Sequence, residues 1–237
     1  MKTEKFLTII TRFSRKAGFT KTHQSIHAEK CESQVNHLVT CQTNAHEKWL
    51  RQFPGVQILR VPPVNLFRWG ERPRSVMDEK RYYAPYNFHL TIAAHSAKSK
   101  WIGFLDDDDL VLPNRMQALI DQLALIQDNA WALAQVKYPY HTGGGSHNLP
   151  NDELFDSMRK GVDGIIYSNF CGLGILLQRQ HVQHMMYGDV SSADFDTAQN
   201  LIGRGYPMKC LMPGPFFEVG SIGDGSHQFD LSLTEPS

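Results

Sequence analysis

Four consecutive aspartates, Asp106 to Asp109, are the stretch of this sequence best equipped for chemistry. Adjacent carboxylates repel one another, so a run of four directly behind an apolar segment calls for a shared counter-cation. Oxygen donors of this type suit a hard divalent ion, Mn2+ or Mg2+, which takes one or two protein carboxylates and leaves its other positions to water and substrate phosphates. The plainer alternative is a solvated acidic turn that caps the helix opening near Pro113. Asp194, in Ser191-Ser192-Ala193-Asp194-Phe195-Asp196, is the second carboxylate of interest. Taken alone it reads most plainly as a helix cap. His141 and His147 flank Gly143-Gly144-Gly145 without a third zinc ligand. The glycines themselves fit an acceptor-side lid or a simple turn.

These residues need elements to position them, and the apolar pattern supplies a frame. Residues 6–11, 37–41, 56–61 and 101–105 read as strands, the third ended by Pro62-Pro63. A polar, basic loop over 12–22 and a helix over 23–36 follow the first strand; helices over 45–53 and 82–96 follow the second and third, with a loop over 65–80. The fourth strand runs straight into the aspartates. Behind them Pro113 opens a helix whose apolar positions Met116, Leu119, Ile120, Leu123 and Ile126 keep helical spacing. Downstream, 130–138 reads as a strand, 141–150 as a flexible loop, 164–179 as a strand pair and 194–204 as a helix ended by Gly205. Strands alternating with helices imply a mostly parallel, Rossmann-like α/β sheet flanked by helices, with the aspartates at the C-terminal strand edge where such sheets bind ligands.

The chain has 237 residues, 41% of them hydrophobic, enough for one domain with a substantial core. Its 24 basic residues equal its 24 acidic ones, so nothing in the charge balance points to nucleic acid or an anionic membrane as partner. Cys31, Cys41, Cys171 and Cys210 lie far apart, which argues for reduced, mostly buried thiols rather than a zinc ribbon or disulfide framework. With no integral membrane segment and no signal-peptide core in the sequence, a soluble, cytoplasmic protein is expected.

Trp101-Ile102-Gly103-Phe104-Leu105-Asp106-Asp107-Asp108-Asp109-Leu110-Val111-Leu112-Pro113 resembles the strand-then-DxD signature of family 2 and related GT-A glycosyltransferases, and the order of elements resembles theirs over about residues 5–210. The resemblance implies a nucleoside diphosphate sugar as donor and a glycan, lipid-linked or protein hydroxyl as acceptor. It implies a hexosyltransferase-type, inverting reaction, with residues 1–112 as the nucleotide-sugar half and 113–237 as the acceptor half. Asp106 then faces the ribose, Asp108 binds the metal, and Asp107 and Asp109 support or cap. Leu7-Thr8-Ile9-Ile10-Thr11-Arg12-Phe13 resembles the opening strand and base-holding turn, which makes Thr11 and Arg12 nucleotide contacts. Asp194 matches the general base, and His227 matches the C-terminal histidine that completes the metal shell in some members. Three departures stand out: Cys41-Gln42-Thr43-Asn44 replaces the usual base-reading acid, Ala193 replaces one acid of a pair, and Asn87 is out of register with the family's asparagine. Two rival readings are a sugar nucleotidyltransferase, disfavoured by the single Gly18 in the basic loop, and a noncatalytic module with a structural Ca2+.

Overall fold

Leu7–Arg12 (β1) is buried along its whole length, as a β-branched apolar run in the middle of a parallel sheet must be. The computed structural model describes residues 5–14, 16–61, 87–137, 146–149, 152–160, 170–185 and 193–219. Lys16–Ile26 (α1), Val35–Cys41 (β2), Asn44–Leu50 (α2) and Val56–Arg60 (β3) follow β1 in strand-helix alternation. After them come a helix over 87–96 (α3), Trp101–Phe104 (β4), Leu110–Val111 (β5), Met116–Ala124 (α4), Trp131–Ala134 (β6) and Val136–Lys137 (β7). Ser146–His147 (β8), Asp152–Lys160 (α5), Ile175–Gln178 (β9), Ala193–Gly203 (α6), Met208–Leu211 (β10) and Phe217–Glu218 (β11) complete the order.

The expected α/β architecture is present. Seven strands form one sheet in the order β10-β6-β9-β4-β1-β2-β3, parallel except for β9, which runs against both β4 and β6. A smaller sheet, β5-β11-β7-β8, lies beyond the acidic segment. Alternate side chains of the large sheet feed two apolar clusters: Leu7 and Ile9 join Trp101 and the α4 residues, whereas Ile10, Ile102 and Phe104 join residues of α3, α5 and α6. Phe13, Phe19, Val39, Cys41 and Leu50 make a third cluster at the β2 side. All four cysteines are free, and no helix among the described residues is long and apolar enough to cross a membrane.

Several boundaries differ from expectation for identifiable reasons. The segment read as a basic loop is mostly helix: α1 starts at Lys16, and its buried face is Gly18, Phe19, Thr22, His23 and Ile26. Glycine, threonine and histidine do not register as apolar, so the helical period is hidden there. The helix behind the aspartates begins at Met116 rather than at Pro113, with Asn114 turning the chain at φ 60°. It does bury Met116, Leu119, Ile120 and Leu123. The strand expected over 130–138 is divided into β6 and β7 by buried Gln135, which passes the chain from the large sheet to the small one. Of the strand pair expected over 164–179, the described residues contain one strand, β9, introduced by a tight turn over Gly172–Gly174. The 65–80 loop lies outside the described residues.

Candidate functional site

The aspartates leave β4 at its C-terminal end, beside the end of β1, where the Leu105 amide donates to the Ile10 carbonyl at 3.0 Å. They alternate in exposure. Asp107 and Asp109 are 2% and 6% exposed, while Asp106 and Asp108 are partly open to solvent. The inward carboxylates are used by the fold: Asp107 Oδ2 accepts from the Ser14 amide at 2.5 Å and the Ser14 hydroxyl at 2.8 Å, and Asp109 Oδ2 accepts from the Asp106 amide at 3.3 Å. The outward Asp106 is steered by Arg12, whose buried guanidinium places Nη2 2.6 Å from Oδ1. The loop thus leaves two carboxylates, Asp106 and Asp108, partly exposed to solvent.

Helix α1 acts as a splint along this loop. Gly18 lies so close to the Asp107 carbonyl that a Cβ there would collide with backbone. One turn on, the Thr22 hydroxyl donates to the Asp109 carbonyl at 2.7 Å. Ser25 Oγ accepts from the Val111 amide at 3.1 Å, and past the helix end the Glu29 carboxylate accepts from the Met116 and Gln117 amides at 2.8 and 3.0 Å. This last contact corrects the capping alternative for the acidic run. Glu29 satisfies the start of α4, and the aspartates are not its cap.

A third carboxylate approaches the same edge from α6. Because β9 runs antiparallel to β4, the turn Gly172–Gly174 that precedes it lies at the C-terminal end of β4. The Asp194 carboxylate rests on Gly172, where any side chain at that glycine would occupy its space. Asp194 lies within the first turn of α6, with Oδ1 accepting from the Phe195 amide at 2.8 Å. Burial pushes its carboxyl pKa up, against a downward pull from the amides of Phe195, Asp194 and Gly172. Asn148 locks the neighbourhood: its side-chain amide donates to the carbonyls of Ala134 and Cys171, and its oxygen accepts from the Cys171 amide, each at 2.9 Å.

The structure therefore sorts the expected residues. Arg12, Asp106, Asp107 and Asp108 come together at the edge of β1 and β4. Asp107 is hydrogen-bonded through Oδ2 to Ser14, and the Arg12 guanidinium pairs with Asp106. Thr11 is 0% exposed, and its hydroxyl lies 3.0 Å from His37 Nε2. Thr43, in the segment that replaces the base-reading acid, caps α2 by accepting from the His46 amide. Asn87 is buried at the start of α3. His227 and His141 lie outside the described residues. Ser14, Gly18, Gly172 and Asn148 were not singled out as site residues from sequence; the Gly172-Leu173-Gly174 spacing is the one local signal among them.

No family model matches the chain, and no curated protein matches its sequence. Solved structures do match its fold. The structure of residues 1–349 of S. aureus TarS in complex with UDP-GlcNAc aligns with a TM-score of 0.58 at 15% identity, over 98% of this chain and 62% of that one. The same TarS fragment in complex with UDP gives 0.56 at 14% identity, over 91% and 60%. Without ligand named, it gives 0.56 at 13%, over 90% and 60%. The chain thus spans about three fifths of those structures, and the architecture it shares with them is of the GT-A type.

Proposed function

We propose that the protein is a divalent-cation-dependent glycosyltransferase that moves a sugar from a nucleoside diphosphate to an acceptor hydroxyl with inversion. The observation that supports this reading is the alternation in the acidic loop: Asp107 and Asp109 are buried and hydrogen-bonded to the chain, while Asp106 and Asp108 remain partly exposed at the C-terminal edge of β4. An all-oxygen pair at a ligand-binding sheet edge fits Mn2+ or Mg2+, with Asp108 as the principal ligand and Asp106 toward the ribose. His227 remains a proposed further ligand. When bound, the ion neutralises charge that grows on the leaving diphosphate.

The chain's own residues do the remaining work. Arg12 sets the Asp106 rotamer, Ser14 and α1 hold the loop backbone, and Asp194 receives the acceptor's proton. In the step itself the acceptor oxygen bonds to the anomeric carbon, the bond from that carbon to the diphosphate breaks, and the hydroxyl proton passes to the Asp194 carboxylate. Burial raises its carboxyl pKa, which strengthens the carboxylate as a base. The nucleotidyltransferase alternative loses ground because only residues 13–15 separate β1 from α1, leaving no room for a long glycine-rich phosphate loop.

TarS carries UDP and UDP-GlcNAc in its crystal structures, which makes UDP-sugars the first donors to try. The acceptor is a glycan, a lipid-linked sugar or a protein hydroxyl. The test is a thermal-shift panel of UDP-, GDP- and dTDP-sugars with and without Mn2+, repeated on Asp108→Ala. A Mn2+-dependent rise for one nucleotide, absent in the variant, is expected. Stabilisation by metal alone, with indifference to every nucleotide, would replace this reading with a structural-ion module.

A further inference from the structure

Beneath the acidic loop, on the α1 side of the sheet, three histidine rings meet. His23 and His27 stand one helical turn apart, and His37 rises from β2, where it pairs with Ile9 of β1 and Val56 of β3. One nitrogen from each ring lies within 4.8 Å of the others. His23 Nδ1 and His37 Nδ1 are 3.4 Å apart, the separation of two nitrogens bound to one tetrahedral zinc at about 2.0–2.1 Å. His27 Nε2 is buried and has no hydrogen-bond partner among the described residues.

We infer that His23, His27 and His37 form a buried site for a divalent transition ion of zinc type, which fastens α1 to β2 beneath the acidic loop. Three imidazole nitrogens suit zinc and its neighbours and not the hard cation proposed for the aspartates. His37 is oriented from behind by the Thr11 hydroxyl at 3.0 Å from Nε2, leaving Nδ1 directed at the cluster. His23 packs against Phe19 and Phe53, which restrict water on that side. His27 lies one residue past the end of α1, half-buried, with a ring nitrogen within 4.8 Å of those of the other two histidines.

His23 lies on the stripe of α1 next to the one that clamps the aspartates, His27 continues it past the helix end, and His37 joins them from β2. An ion there therefore rigidifies the same splint. The test uses the full chain carrying Asp108→Ala, to silence the acidic loop, after chelation and dialysis. Zn2+ alone is titrated by calorimetry, and Co2+ alone by visible absorption, whose intensity distinguishes tetrahedral from octahedral coordination. One equivalent of Zn2+ and an intense, tetrahedral Co2+ spectrum are expected, with affinity falling at least tenfold in His27→Gln and in His23→Gln. His27→Gln is the safer variant for folding, which circular dichroism checks. Absence of stoichiometric Zn2+ binding, an octahedral Co2+ spectrum, or equal affinity in a folded His27→Gln variant would each overturn the assignment. None of these outcomes depends on transferase activity.

Discussion

The acidic loop and the histidine trio are both held by α1, yet they are built in opposite ways. The loop sets four oxygen-bearing side chains at a strand end, alternately inward and outward, and is gripped through its backbone by Gly18, Thr22 and Ser25, with Glu29 holding the helix behind it. The trio is a packed interior cluster of nitrogen donors, walled by aromatic rings and joined to the strand frame through Thr11. An edge that must exchange substrate needs carboxylates left partly in water; an interior that must stay fixed does not. One helix serves both because Gly18, Thr22 and Ser25 follow one stripe of α1, with Glu29 beyond its end, while Phe19 and His23 follow the next, with His27 just beyond it.

The comparison can be broken at its functional end first. Asp194→Asn removes the proposed proton acceptor and is expected to lower transfer rate by about 10²–10⁴-fold with the melting temperature little changed. If Asp194 is the base, it works ionised in the unmutated protein, so the rate is expected to fall as pH drops through its raised carboxyl pKa, and steady-state kinetics across the acid range checks this. The sign for stability is opposite. A raised carboxyl pKa means that this group's contribution declines as pH rises above the unfolded value.

Changes on the clamping stripe of α1 should cost stability in descending order. Gly18→Val drives a side chain into the Asp107 carbonyl and is expected to destabilise by about 2–3 kcal/mol while weakening donor binding. Thr22→Val strips the Asp109 carbonyl of its hydroxyl donor, an expected loss of about 1–2 kcal/mol. Glu29→Ala uncaps α4 at about 1 kcal/mol and should leave nucleotide affinity intact, since it touches neither outward carboxylate. Urea denaturation with parallel nucleotide titration separates the three. Equal effects on stability and binding in all of them would erase the distinction between the loop's inward and outward groups.

Much of the site's frame was legible because hydrophobicity marks it. The β1 and β4 strands and the buried face of α4 were visible as apolar runs and spacing, and they place the aspartates at the ligand edge without further help. Helix α1 was misread because its inward residues are Gly18, Thr22 and His23, chosen for close approach and hydrogen bonding instead of hydropathy. The pairing of Thr11 with His37 was hidden for a related reason: position at a strand's end says nothing about which face a side chain takes until register is known. Asn148 gave no signal, since its value lies in three bonds to segments distant in sequence. The histidines could not be grouped by spacing, because His37 joins the other two only across the β2 strand.

The central claim is that neighbouring aspartates divide between donor binding and folding. Its most direct test compares Asp108→Asn with Asp107→Asn in calorimetric titrations of a UDP-sugar with Mn2+, each paired with a melting curve. The account predicts that Asp108→Asn keeps the wild-type melting temperature and loses Mn2+-dependent binding, whereas Asp107→Asn melts lower because Ser14 loses its charged partner. Mn2+-dependent binding of wild-type strength in a folded Asp108→Asn protein would contradict it.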